Sequence, residues 1–303
     1  MSITHGDRET GESDMRITIA AVLAGVAASA LLGAGTPAAA ASEGAFTVAG
    51  TRDWDHDGHQ DIVVRDNAGG DLWLYPGQSK RGYSTVPRVK IGNGWNGYEF
   101  AGVTDWDRDG HQDIIVTEQA TGDLYLYPGQ SKRGYSTAPR VKIGNGWQGF
   151  RIVGLADWDR DGHQDIVVRN ESTGDLWLYP GQSKRGYSTV PRAQIGNGWT
   201  GFTVAGVTDW DRDGHQDIVT RDDSTGNLWL YPGQSKRGYS TVPRVQIGNG
   251  WTGYTFSGLT DWDKDGHQDI LVRNDQTRDL WLYAGQSKRG YSTVPPVKIG
   301  NGW

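Results

Sequence analysis

Between residues 44 and 303 the apolar positions come in short bursts and never in long runs. Asp-Ile-Val-Val at 61–64 and Leu-Trp-Leu-Tyr at 72–75 are apolar on both faces of an extended chain. Arg88-Val89-Lys90-Ile91 alternates polar with apolar, and the stretch before the first burst is rich in Ala and Gly. Gly, Asp, Asn and Pro punctuate the intervals, so the pattern predicts four short strands separated by turns. A strand apolar on both faces needs cover from both sides, whereas an alternating strand suits a half-exposed edge. Small residues in the first strand suit crowding near an axis.

This pattern returns every 52 residues, at 44–95, 96–147, 148–199, 200–251 and 252–303. A fixed long period signals a solenoid, propeller or array. The gradient from small to two-sided apolar to alternating strands is that of a propeller blade. A solenoid would need atypical end caps, and the end units here are like the others. The expectation is an all-β, five-bladed β-propeller over 44–303, one four-stranded antiparallel blade per repeat. It should close by packing blade 5 on blade 1, without strand exchange.

Residues 1–41 follow another pattern. Arg16 precedes an apolar run at 17–32, and the small-residue stretch "GAGTPAAAAS" follows. Basic start, apolar centre and small-residue cleavage site read as a secretory signal, cut after Ala40 or Ala41. Residues 1–14 are polar and acidic, and Met15 offers an alternative start. The expected location is extracellular, with no membrane attachment after cleavage. The chain has no cysteine, so disulfides do not staple the fold.

The sequence "DWDHDGHQD" at 53–61 puts Asp at positions 1, 3, 5 and 9 and Gly at 6. Calcium takes six to eight oxygen ligands, and such a loop wraps carboxylates around it. The predicted ligands are Asp53, Asp55, Asp57 and Asp61, with His59 offering its backbone carbonyl. The second loop supplies Asp105, Asp107, Asp109, His111 and Asp113, and the third Asp157, Asp159, Asp161, His163 and Asp165. The fourth has Asp209, Asp211, Asp213, His215 and Asp217, and the fifth Asp261, Asp263, Asp265, His267 and Asp269. An EF-hand would need Glu at position 12, where Val64 stands in a strand. Four carboxylates in one short loop, five times over, repel one another without a cation. The expectation is about five Ca²⁺, one per repeat, which outweigh the formal charge of −6. The acidity of the chain therefore says little about partners, and nucleic acid is not expected.

"DWDRDGHQDIIV…TGDLYLYPG" resembles the FG-GAP/VCBS repeat family, seen in the propeller of integrin α-subunits and in secreted bacterial proteins. The join "IGNGW-x-G-[YF]" resembles the repeats of five-bladed tachylectin-2-like lectins. A fungal propeller lectin combines similar calcium loops with sugar sites between blades. The resemblance implies a calcium-loaded propeller that binds carbohydrate, or alternatively an integrin-like protein-interaction module.

The sequence "GQSKRGYST" is unchanged at 77–85, 129–137, 181–189, 233–241 and 285–293, while turns such as "RDNAGGD" and "RNDQTRD" drift. Turn geometry and recent duplication account for its glycines, but exposed cations are cheap to change. The other reading is one saccharide site per blade or junction, an aromatic face with fixed polar groups around it. The Tyr loop offers Arg81 and Tyr83 with the equivalents Arg133, Tyr135, Arg185, Tyr187, Arg237, Tyr239, Arg289 and Tyr291. The Asn-Gly-Trp join offers Asn93 and Trp95 with Asn145, Trp147, Asn197, Trp199, Asn249, Trp251, Asn301 and Trp303. Either segment, or both at one pocket, can form the site, and packing against the next blade competes for Trp95. Trp54 at loop position 2 is expected to be half exposed, and Trp73 to lie in the core.

Catalysis normally needs one constellation that breaks the symmetry. Besides His5 and His56 each Asp loop holds one histidine, there is no cysteine, and no carboxylate pair stands out. The chain therefore reads as a monomeric multivalent binder of glycans or wall polysaccharide, and not as an enzyme.

Overall fold

The structure is a computed structural model and describes residues 45–303. The segment read as a secretory signal lies outside the described residues. The chain forms five separate four-stranded antiparallel sheets, one per repeat, each with its strands in chain order. In the first they are β1 (Phe46–Arg52), β2 (Asp61–Asp66), β3 (Leu72–Tyr75) and β4 (Val89–Gly92). The inner strands of the others are β5 (Tyr98–Thr104), β9 (Phe150–Ala156), β13 (Phe202–Thr208) and β17 (Tyr254–Thr260). Each inner strand packs on the next, and β17 packs back on β1, which closes the ring. Among the described residues no strand is exchanged at the closure.

The alternation of side chains along β2 explains how the blades stack. Val63 faces one neighbour, in a cluster with Trp54, Leu72, Leu74, Val103, Ile114 and Val116. Ile62 and Val64 face the other way, onto Trp262, Leu271, Leu280 and Ile299 of the last blade. Every blade is thus buried on both faces, and the core consists of five equivalent interblade clusters. Near the axis the fit is tight. A Cβ on Gly154 would lie 2.3 Å from Val207 of the next inner strand. Only a residue without a side chain allows that approach.

Candidate functional site: the interblade Asp loop and cleft

Each Asp loop is tied down by its own backbone. Asp61 is fully buried, and its carboxylate accepts from Trp54 N at 2.9 Å and Gly77 N at 2.8 Å. Burial pushes this carboxyl up to about 7; the two backbone donors hold it down, while Asp55 and Asp57 push it further up. Asp53 accepts from Gly58 N, Asp55 from Asp57 N, and Asp57 from His59 N. His56 and Gly58 take positive φ, 59° and 89°, and so curl the loop back on itself.

Those bonds leave a gap in one place. The second oxygen of Asp53 is buried without a hydrogen-bond partner, and so are those of Asp105, Asp157, Asp209 and Asp261. Buried carboxylate oxygens are ordinarily partnered, so an unpartnered oxygen repeated in all five loops fits a group that could hold a cation. Carboxylate oxygens of Asp53, Asp55 and Asp57 lie within 4.8 Å of one another. The same holds for Asp105, Asp107 and Asp113, for Asp157, Asp159 and Asp165, for Asp209, Asp211 and Asp217, and for Asp261, Asp263 and Asp265. This donor set is all hard oxygen, which suits calcium more than a soft metal. The imidazole of His59 is bonded to Ser79 at 2.8 Å and turned to that task.

The unchanged loop proves to be a latch between blades. Gly77 cannot carry a Cβ, which would fall 1.8 Å from the Gln60 carbonyl oxygen. Gln78 accepts from Thr85 N, and Ser84 donates to the Pro76 carbonyl at 2.7 Å. The Lys132 carbonyl of blade 2 accepts from the indole N–H of Trp54 in blade 1 at 3.1 Å. Arg133 places Nε on Asp55 and Nη2 on Asp57, the latter at 2.8 Å. Arg185, Arg237 and Arg289 repeat this on the preceding blade, and Arg81 repeats it across the closure on Asp263 and Asp265. The neighbouring carboxylates hold all five arginines. One expectation is corrected here. Trp54 is 5% exposed, not half exposed, since the next blade's loop covers it.

The tyrosine of the same loop does border a cleft. Tyr135 of blade 2 and Asn93 and Trp95 of blade 1 line one cavity of about 240 Å³. Tyr187 with Asn145 and Trp147 lines a second of the same volume, and Tyr83 with Asn301 and Trp303 a third, across the closure. The Tyr loop and the Asn-Gly-Trp join therefore meet, but each cavity takes them from different blades. Tyr83, Tyr135, Tyr187, Tyr239 and Tyr291 are the exposed large hydrophobics among the described residues, at 43–47%. Asn93 is exposed as well. Trp95 is 8% exposed and packs 4.5 Å from the Tyr127 ring, so packing claims most of its surface.

One contributor escaped the sequence reading. Arg88 lines the closure cavity, with its guanidinium 4.2 Å from the Trp73 ring centroid and Nη1 donating to Tyr75 Oη at 2.7 Å. Trp73 is half-buried beneath this arginine, not enclosed in the core. The available signal was the Pro-Arg pair before the last strand of four repeats, at 87–88, 139–140, 191–192 and 243–244.

An FG-GAP-like repeat model matches residues 53–116, 105–168, 157–220 and 209–272. Each match begins at one Asp loop and runs through the next. The chain belongs to the FG-GAP-like repeat family. Within relatives, integrin alpha-6 of Gallus gallus is 30% identical over 141 residues, which is 41% of this chain and 13% of the integrin. Integrin alpha-8 of Homo sapiens is 25% identical over 157 residues, 43% of this chain and 15% of the integrin. This FG-GAP-like chain thus corresponds to a small part of those proteins' length. Among solved structures, it is similar to an Agrocybe aegerita lectin that recognises non-reducing terminal N-acetylglucosamine. That likeness covers 82% of this chain and 65% of the lectin, at 15% identity and a TM-score of 0.46. A Photorhabdus luminescens Tc holotoxin pore is similar over 86% of this chain and 12% of the toxin chain, at 14% identity and a TM-score of 0.47.

Proposed function

We propose that this FG-GAP-like propeller is a secreted, calcium-stabilised, multivalent carbohydrate-binding protein. The observation that carries the reading is the repeated cleft in which an exposed tyrosine of one blade faces the Asn-Gly-Trp join of the blade before. A saccharide ring needs an aromatic face for its C–H side and polar groups for its hydroxyls. Tyr135, the Asn93 amide and the edge of Trp95 provide them at the first junction. A cavity of about 240 Å³ suits one or two sugar rings. Repetition around a ring turns weak single sites into avidity for a glycan-coated surface.

Calcium's part is structural. Asp53, Asp55, Asp57 and Asp61, with the His59 carbonyl, are the groups that would hold it in the first loop. The unpartnered Asp53 oxygen supports this assignment, and the other four loops repeat it. The ion would supply positive charge that cancels carboxylate repulsion. Asp55 and Asp57 also carry the next blade's arginine, so the ion would steady the junction that shapes the cleft.

A glycan array probed with the full chain, with calcium and in EDTA, tests the proposal. Binding to a defined terminal sugar supports it. A blank array from a folded, calcium-loaded chain overturns it and favours a protein-interaction propeller, the reading that the integrin likeness supports.

A further inference from the structure

Three junction clefts are walled by Arg140, Arg88 and Arg192, and the repeat puts Arg244 and Pro296 at the other two junctions, so the five do not share a charge. In three, the guanidinium of an arginine sits over an aromatic ring and gives one N–H to a phenol. Arg88 does so on Trp73 and Tyr75, Arg192 on Trp177 and Tyr179, and Arg244 on Trp229 and Tyr231. The three ring distances are 4.2, 4.4 and 4.2 Å. These guanidiniums are exposed, and no acidic side chain is paired with any of them among the described residues. Stacking fixes the plane of the fork and leaves its remaining N–H groups unspent.

The other two clefts differ, each for a visible reason. In the second blade Arg140 stacks on Tyr125 at 4.1 Å, but it also bonds Tyr98 and lies 3.7 Å from the Glu118 carboxylate. The positions equivalent to Glu118 are Asp66, Asn170, Asp222 and Asn274, and those equivalent to Tyr98 are Phe46, Phe150, Phe202 and Tyr254. In the fifth blade Pro296 replaces the arginine. There Tyr283 Oη meets Tyr254 Oη at 3.4 Å instead.

We propose that the clefts walled by Arg88, Arg192 and Arg244 recognise an anionic saccharide, its carboxylate or sulfate held by the stacked guanidinium, while the cleft beside Pro296 admits only neutral sugar. A planar fork matches a carboxylate or sulfate edge, and a pre-stacked arginine loses little freedom when it pairs. Glu118 weakens the Arg140 cleft for the same ligand by occupying and opposing its cation. The inference rests on the saccharide reading of the clefts and assigns their ligand class. It also makes the ring non-equivalent: three acid-selective sites, one attenuated and one neutral.

The test is an array of uronic-acid, sulfated and neutral oligosaccharides, probed with the full chain and two variants. The triple variant R88A/R192A/R244A should lose binding to acidic glycans about tenfold more than it loses binding to neutral ones. Pro296→Arg, at an exposed position, should raise acidic binding. Acidic binding should also weaken with added salt more than neutral binding does. The uronic and sulfated panels show which anion is read. Acidic binding unchanged in the triple variant, or acidic and neutral binding lost in parallel, overturns the inference and leaves the lectin reading standing. A parent chain that binds neither class overturns the lectin reading, and this inference with it.

Discussion

The indole N–H of Trp54 donates to the Lys132 carbonyl of the next blade, and the guanidinium of Arg133, one residue on, clasps Asp55, one residue after the tryptophan. Two bonds thus join adjacent blades at the same edge where the Asp loop sits. Trp106, Trp158, Trp210 and Trp262 make the same bond to Lys184, Lys236, Lys288 and Lys80.

Trp106→Phe removes that bond but keeps most of the buried ring. Its cost should be about 1 kcal/mol, against about 3–5 kcal/mol for Trp106→Ala, which also opens a cavity. Urea denaturation of the two variants measures both, and a Phe variant as stable as the parent would show that the hydrogen bond adds nothing to the packing.

Chelation should lower the melting temperature sharply, because an ion that binds only the folded chain stabilises it by mass action. An unchanged midpoint in EDTA would remove the metal assignment of all five loops.

Proton and ion should compete. With the carboxyl of Asp61 raised from 3.8 to about 7, the calcium-free folded chain retains protons there that the unfolded chain has already lost. That contribution favours folding at acid pH and disappears as the pH rises through 7. Calcium needs the ionised carboxylate, so its stabilising effect should grow between about pH 5 and pH 8. Melting curves with calcium and EDTA across this range check the sign, and a calcium effect that shrinks with pH would contradict it.

Arg133→Met should reveal what the arginine does in the loop. With calcium bound, the carboxylates of Asp55 and Asp57 have another cation nearby. Without it, Arg133 is the cation paired with both. The variant should therefore lose more stability in EDTA than in calcium, and an equal loss in both would argue for packing alone.

Replacing Tyr83, Tyr135, Tyr187, Tyr239 and Tyr291 with alanine should abolish glycan binding. Each ring is nearly half exposed, so each change should cost stability by no more than about 0.5 kcal/mol. Retained binding with a folded chain would shift the site toward Asn93 and Trp95.

The blade was legible in the sequence because its strands announce which faces are covered. Ile62, Val63 and Val64 are apolar without interruption, and a neighbouring blade covers each side of them. The Asp loop was legible because its carboxylates lie within nine residues. What stayed hidden depends on neighbours far along the chain. Arg81 reaches Asp263 from 182 positions away, so nothing local tells a latch from a ligand-binding cation. Trp54 looked half exposed for the same reason, as its cover comes from blade 2. Arg88 was overlooked because it precedes an edge strand, where a cation usually does no more than guard the edge.

Arg133 and Tyr135 stand two residues apart on one loop, with the first fixed to the Asp loop and the second forming a wall of the cleft. Whatever sets the posture of that loop sets both. Occupying one site should therefore change the affinity of the other, and by thermodynamic reciprocity the factor must be the same in both directions. On the proposed function, a sugar bound against Tyr135 would raise the affinity of the loop one blade away for its ion. On that same reading, calcium would in turn tighten the ring's hold on a sugar by the same factor.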